Sequence, residues 1–263
     1  MAAGAVWLPL ESYEGITSSD VSISFGLFVL IVVITGLLFF FVEGYFISGV
    51  LRKKIKIKSK SFNTKITVEF GDLFSKKGWK AVGVNDFFDS VVDDDLVSAN
   101  SLHGHVIQNY WSDDSAVWQA AVDNSLHGVA FKKTKRAKGN RNRYPIGTTA
   151  NAQEGENKFL FVALARTRKS TNVVQASAET LIGAIRGMLQ HARAVCSNEP
   201  LSIPLMGSGL GRIGIKDAIL VDLILAAIFE ESQSSKITDS ISIVLPKEKQ
   251  SEINLGAISR DWK

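Results

Sequence analysis

The stretch "LSIPLMGSGLGRIGIKDAILVDLILAAIFEE", residues 201–231, sets out a strand, a glycine-rich turn and a helix in immediate succession. A short apolar run, "LSIPLMG" (201–207), ends at glycines, and the segment Lys216 to Glu231 is apolar almost all round, as a deeply buried helix is. A turn between two such elements leaves backbone N–H groups pointing outward at a helix N-terminus. There the unsatisfied donors and the helix dipole favour an anion such as phosphate. Glycine suits the turn because a Cβ would block close approach and because several positions are expected to need φ > 0.

Gly209-x-Gly211-x-x-Gly214 has the spacing of a Rossmann dinucleotide fingerprint. That fold opens with the motif and places an acid about twenty residues on, at the end of the next strand. Here the first acid beyond the next strand is Glu248, 34 residues after Gly214, and too little chain follows for a second half. The nicotinamide-dehydrogenase reading fails, and a phosphate-binding loop in a different α/β domain remains.

Working outward, "KFLFVAL" (158–164) and "SISIVLP" (240–246) read as further apolar strands, and "KIKIKS" and "TKITVEFGDLF" alternate with period two. Between the strands at 158 and 201, Ser177 can cap a helix that carries Leu181, Ile185, Met188, Leu189, Ala192 and Val195 on one face. Strand, helix, strand, helix, strand predicts an α/β sandwich with parallel crossovers and helices on both faces of the sheet.

The chain of 263 residues has ample length for one such domain with a segment to spare. From Val21 to Val42, "VSISFGLFVLIVVITGLLFFFV" is uncharged and as a helix would be roughly 33 Å long, enough for the ~30 Å hydrocarbon core. The run lacks the polar stripe of a soluble core helix, and it has neither the basic n-region nor the cleavage site of a signal peptide. It is expected to span a membrane. The first 51 residues hold no Lys or Arg, whereas Arg52–Lys60 ("RKKIKIKSK") holds six cations, so the N-terminus is expected outside and the large domain in the cytoplasm. The expected division is an extracytoplasmic segment 1–20, a transmembrane helix with its interfacial extension 21–51, a basic juxtamembrane segment 52–60 and the α/β domain 61–263. The basic segment reads as a lipid-headgroup anchor in preference to a nucleic-acid contact. Ser22-x-x-x-Gly26 would let two such helices approach closely, which fits a homo-oligomer.

Several smaller features carry bland expectations. Cys196, the sole cysteine, is expected to be buried packing. Asp93, Asp94 and Asp95 read as a solvated loop, and His103-x-His105 lacks a third ligand for zinc. Lys132–Arg143 ("KKTKRAKGNRNR") holds seven cations without periodicity and is expected to be a mobile solvated loop, with a flap over an anionic ligand or a lipid contact as the functional alternatives.

Read together, "ITVEFGDLF", "AVGVNDFFD", "SLHGHVIQ", "YPIGTTA" and the 201–231 stretch resemble the ordered landmarks of a macro domain over roughly residues 60–250. With the membrane helix, the chain is similar to the Thoeris anti-phage effectors of the membrane-macro type. The resemblance implies a three-layer α/β/α domain with a mixed, largely parallel sheet. It also implies a ligand of the ADP-ribose or adenine-dinucleotide class, delivered as a nucleotide second messenger by a TIR-domain partner. On it, Asp72 stands where a carboxylate accepts from the adenine amino group, with the Leu73 amide beside the ring. Asn85 stands toward the distal ribose, although the usual N-A-A-N is here "NDFF". "SLHGHV" (101–106) takes the place of the first phosphate loop, bringing His103, Gly104 and His105 near the ligand. Gly207, Ser208, Gly209, Leu210 and Gly211 take the place of the second, and Arg212 adds a charge. Where hydrolytic relatives follow the first loop with an acid, this chain has Ile107 and Gln108. No catalytic residue, cofactor or metal is therefore assigned. The expected function is a membrane-anchored nucleotide sensor that perturbs the membrane on ligand-driven assembly, with a tethered ADP-ribosyl hydrolase or a non-catalytic ADP-ribose reader as the alternatives.

Overall fold

A reciprocal capping box fixes the helix that crosses from the strand at 157–167 to the strand at 201–204. The Thr180 amide donates to Ser177 Oγ (3.2 Å) and the Ser177 amide donates to Thr180 Oγ1 (2.7 Å), starting an amphipathic helix at Ala178. In this computed structural model, which describes residues 2–17, 24–58, 63–168, 170–209 and 213–262, the elements follow in a regular order. Helices α1 (Ala2–Thr17) and α2 (Phe25–Val42) lead into β1 (Lys54–Ile57), β2 (Lys65–Phe70) and β3 (Trp79–Asn85). Next come α3 (Leu102–Tyr110), α4 (Ser115–Ser125), the short β4 (Lys132–Lys133) and β5 (Asn142–Arg143), then β6 (Thr149–Glu154), β7 (Asn157–Thr167) and β8 (Val174–Gln175). The chain closes with α5 (Ala178–Val195), β9 (Leu201–Pro204), α6 (Asp217–Ser234), β10 (Ser240–Leu245) and α7 (Leu255–Asp261).

The main sheet runs β1-β2-β10-β9-β3-β7-β6, with β8 paired to the end of β7. Strands β2, β10, β9, β3 and β7 are mutually parallel, while β1 and β6 close the edges antiparallel. Helices cover both faces, giving the expected mixed, largely parallel α/β/α sandwich. One core lies under α5, α6 and α7 and includes Ile66, Val68, Ile203, Ile241, Met188 and Ile224. The other, under α3 and α4, is aromatic: Phe159, Phe161, Trp111 and Trp118. Cys196 lies fully buried in the first, and burial pushes its thiol up to about 12.

The basic segment after the apolar helix belongs partly to the sheet. Alternation in "KIKI" buries Ile55 and Ile57 and leaves Lys54 and Lys56 exposed, so the sheet begins at Lys54 and not at residue 61. Lys54 Nζ then reaches Glu69 Oε2 at 3.0 Å across the strand pair.

Residues 132–143 are not a mobile loop. The β4–β5 ribbon is pinned by Arg136, whose side chain is fully buried and donates from Nη1 to Asp89 Oδ2 (2.8 Å) and Oδ1 (3.1 Å). Nη2 donates to Asn172 Oδ1 (2.8 Å), and the guanidinium stacks 4.3 Å from the Phe87 ring centroid. Asn140 completes the clamp, its amide donating to Asp89 Oδ1 (2.7 Å) and its Nδ2 to Phe88 O (2.7 Å). The left-handed Gly139 (φ 82°) lies so close to Asp89 that any Cβ would displace the carboxylate. On the surface, Lys138 Nζ bridges Asp93 (2.7 Å) and Asp95 (3.2 Å), so the acidic triplet is partnered from within the chain.

Helix α2 and the π turn Glu43–Ile47 that continues it make one segment, Phe25–Ile47, long and apolar enough to cross a membrane, with none of α2 and only Gly44 of the turn buried inside the protein. Helix α1 meets it through an edge-on contact of Trp7 with Phe28, centroids 6.0 Å apart. The base of this segment is clasped by α7. Gly49 (φ 73°) lies backbone to backbone against Gly256, Asn254 Nδ2 donates to Ser48 O (3.1 Å) and Arg260 Nη1 to Ile47 O (3.1 Å). At its far end, Trp262 Nε1 donates to Asp222 Oδ1 of α6 (2.8 Å), and Trp262 packs on Phe229.

Removing one member of a buried ion pair leaves the other uncompensated, a loss of about 3–5 kcal/mol. Arg136→Ala is therefore expected to lower the denaturant midpoint of the detergent-solubilised protein sharply, while the exposed Lys138→Ala leaves it nearly unchanged.

Candidate functional site

Parallel pairing sends the C-terminal ends of β2, β10, β9, β3 and β7 to a single edge of the sheet. After β3 the chain moves toward β6 and β7, whereas after β9 it moves through α6 to β10. The direction of winding reverses between these two neighbours, the place where open α/β sheets leave a crevice for a ligand. Gly207 follows β9 and Asn85 ends β3, so both lie at the reversal. Asp72 follows β2, three strand spacings or roughly 14 Å from Asn85.

Asp72 is exposed. Its Oδ1 accepts from the Phe74 amide (2.9 Å) and its carbonyl from Ser75 Oγ (2.8 Å), an Asx turn that leaves Oδ2 without a partner among the described residues. Leu73 is buried beneath it. Phe74 stacks on His105 (centroids 4.6 Å) and on Tyr110 (5.5 Å) of α3, forming an aromatic shelf beside the carboxylate. Burial and the Asp72 charge raise the Tyr110 phenol. Phe74 and Tyr110 were not among the expected site residues; the only sequence signal was the position of Phe74 two residues beyond Asp72.

In the loop after β9, Gly207 has φ 90°, and a Cβ there would lie 2.5 Å from Ile213 Cδ1. The Ile213 amide returns to Gly207 O (3.2 Å), closing the loop at the base, and Ser208 Oγ donates to Leu205 O (3.0 Å). Gly209 is exposed with open space where a Cβ would stand. The amides of Ser208 and Gly209 have no acceptor among the described residues, the condition for receiving an anion. Leu210, Gly211 and Arg212 lie outside the described residues.

Two expectations are corrected. Residues 101–106 are not a loop: Ser101 accepts from the Gly104 amide (2.9 Å) and starts α3, so "LHGHV" is helical. Gly104 is buried, and a Cβ on it would run into Ser98 O, which makes it a packing glycine. His103 turns into the aromatic core, its ring 4.7 Å from Trp118, whereas His105 stays on the surface beside Phe74. The two therefore share neither a ligand nor a metal. Asn85 is likewise committed: Oδ1 accepts from the Phe87 (3.1 Å) and Asp89 (3.2 Å) amides and Nδ2 donates to Asp89 Oδ2 (3.0 Å). A short polar side chain has found its partners in the turn it begins, which no spacing argument anticipates. The described side chains outline two concavities elsewhere. One of about 570 Å³ lies between α5 and the start of β6, and one of about 450 Å³ lies at the end of β7.

Burial lowers the His103 imidazole from its usual value near 6.5 to about 3. The unfolded chain takes up a proton there that the folded chain refuses, so stability falls as pH drops from about 6.5 toward 3, by roughly 1 kcal/mol per pH unit. Thermal unfolding followed between pH 7 and pH 4 is expected to show this slope in the native chain and a shallower one in His103→Gln.

A family model described as Thoeris protein ThsA, macro domain, matches residues 66–246. Thoeris protein ThsA of Bacillus amyloliquefaciens (strain Y2) is 23% identical over 200 residues, covering 73% of this chain and 65% of that protein. This chain thus spans less than two thirds of that relative's length. Among solved structures, an Oceanobacillus iheyensis macrodomain with ADP aligns with TM-score 0.52 at 13% identity over 80% of this chain and 95% of its own. A variant of the same macrodomain with ADPR aligns with TM-score 0.52 at 14% identity over 79% and 95%. Those structural likenesses carry the fold, and the family match, which takes in well over half the residues, carries the membership: this chain belongs to the ThsA macro-domain family of Thoeris proteins.

Proposed function

We propose that this protein is a membrane-anchored sensor of an ADP-ribose-derived nucleotide in Thoeris defence, the nucleotide being made by a TIR-domain partner. The observation that carries the reading is the open Gly207–Gly209 loop at the winding reversal, its amides free among the described residues, with the exposed Asp72 further along the same edge. A diphosphate on the loop amides would place an adenine toward Asp72 and the Phe74 shelf. The likeness to a macrodomain solved with ADP supports the ligand class. Binding is favoured over hydrolysis because Ile107 is buried, Gln108 carries no carboxylate and the Asn85 amide is spent on its own turn.

The segment Phe25–Ile47 anchors the domain to the inner membrane as a single pass. The absence of cations before residue 52 and their density after it support an N-terminus outside and the domain in the cytoplasm. Arg52 and the exposed lysines beside it meet anionic lipid. Ligand binding acts by favouring one of two arrangements of a homo-oligomer, and only a differential affinity can do so. A physical route exists within one chain. Asp217 begins α6 just beyond the glycine loop and pairs with Lys249 Nζ (3.0 Å), α6 holds Trp262, and α7 holds the base of α2.

Calorimetry of the full chain against ADP-ribose, NAD and cyclic or base-exchanged derivatives is expected to find one tight ligand, with Asp72→Ala weakening it about tenfold, the worth of one buried hydrogen bond. No binding to any of them overturns the sensor reading. Gly256→Val is expected to keep that affinity while abolishing ligand-triggered dye leakage from cells carrying the protein. Leakage that persists removes α7 from the route.

A further inference from the structure

The apolar segment joins the domain at the rim that carries the glycine loop. Lys53 O accepts from the Phe70 amide (3.0 Å) and Lys54 is opposite Glu69, so the chain enters the sheet beside the C-terminal end of β2, with Asp72 two residues beyond Phe70. Only Ser48 to Lys53 separate the apolar segment from β1, and they are folded short. The Leu51 amide returns to Gly44 O (2.9 Å) and the Arg52 amide to Gly49 O (3.1 Å). We propose that this rim faces the bilayer and that the start of α6 rests on the lipid surface, so that a nucleotide reaches its cleft sideways, between protein and headgroups. The inference rests on the reading of Phe25–Ile47 as a membrane span.

A residue of extended chain covers at most about 3.6 Å, so Asp72 stands within roughly 7 Å of the amide that Lys53 holds. A bilayer about 40–45 Å thick with a core of about 30 Å leaves roughly 5–7 Å of headgroup on each side. The Asp72 turn is thus about one headgroup depth from the point where the anchor becomes the sheet.

Exposed isoleucines alone would be ordinary surface. Ile215 and Ile219 are exposed, and what distinguishes them is their tie to the anchor. Asp217, between them, pairs with Lys249 Nζ (3.0 Å), the Ile253 amide returns to Lys249 O (3.0 Å), and the next residue, Asn254, holds Ser48 O (3.1 Å). The pair therefore belongs to the same rim as the end of the membrane segment and is coupled to it through a continuous run of contacts. Lys53, Lys216 and Lys247 are exposed along this rim, while Asp217 and Glu252 are both spent on Lys249. Apolar side chains set among lysines suit the boundary of an anionic leaflet: the isoleucines enter the acyl edge and the ammonium groups stay with the phosphates. A soluble partner would have to reach a face that a short, folded connection already holds against the membrane.

The test uses the full chain reconstituted in vesicles of phosphatidylcholine and phosphatidylglycerol that contain a lipid with a nitroxide on its headgroup. Single cysteines carry an NBD fluorophore, and the native chain labelled in parallel reports any contribution from the buried Cys196. Ile219→Cys and Lys247→Cys sample the rim, Val42→Cys the end of the span, and Glu156→Cys the β6–β7 turn at the opposite end of the sheet, with the unfolding midpoint of each variant checked against the native chain. Labels at 219, 247 and 42 are expected to lose most of their fluorescence to the nitroxide, and the label at 156 to keep it. Quenching at 42 with none at 219 or 247 overturns the proposal and leaves the span standing. A label at 219 that is shielded from water yet unquenched assigns the face to a protein partner, and this also overturns it. No quenching at 42 removes the span and the proposal together. No nucleotide is present, so every outcome is independent of the sensor reading.

Discussion

Five strands running the same way constrain nearly everything else in this molecule. Parallel neighbours need long crossovers, so helices must lie over both faces, and every loop that follows a strand's C-terminal end must emerge at one rim. The Asx turn at Asp72, the glycine loop at 207–209, the Asn85 turn and the concavity at the end of β7 all inhabit that rim because β2, β9, β3 and β7 are parallel. Their order along it is the order of the strands.

The rim is stiffened where it would otherwise be loosest. The connection from β3 to α3 is long, yet Asn85, Asp86 and Asp89 are all buried in it and all partnered: by one another's backbone, by the 136–143 ribbon, and by the end of β7. Charges out of water are tolerable only when they are paired and hydrogen-bonded, and Asp89 accepts from Arg136, Asn140 and Asn85. The arrangement contributes modestly to stability compared with an apolar core, but it permits one geometry. The turn at Asn85 is therefore framework.

The strands and crossover helices were legible because their information is local and periodic. The capping Ser177, the apolar face from Leu181 to Ala192 and the alternation of 54–57 each declare themselves within a few residues. The Asp72 turn and the glycine loop were legible for the same reason, since both are short motifs at strand ends. Residues 132–143 misled because seven cations in twelve positions resemble a solvated run, and the carboxylate that buries Arg136 stands 47 residues earlier in sequence. "SLHGHV" misled in another way. A glycine reads as loop, but Gly104 is small because the 98–99 backbone presses on the helix. Neither a distant counter-charge nor a close backbone leaves a mark on the neighbouring letters.

At the junction of Gly49 with Gly256, two main chains abut with no side chain between them. Side-chain contacts have slack, because rotamers turn and absorb small displacements. Bare backbone has none, and the carbonyls of Ile47 and Ser48 are gripped by Arg260 and Asn254 at the same point. The foot of the apolar segment therefore cannot shift at this point without α7 shifting with it.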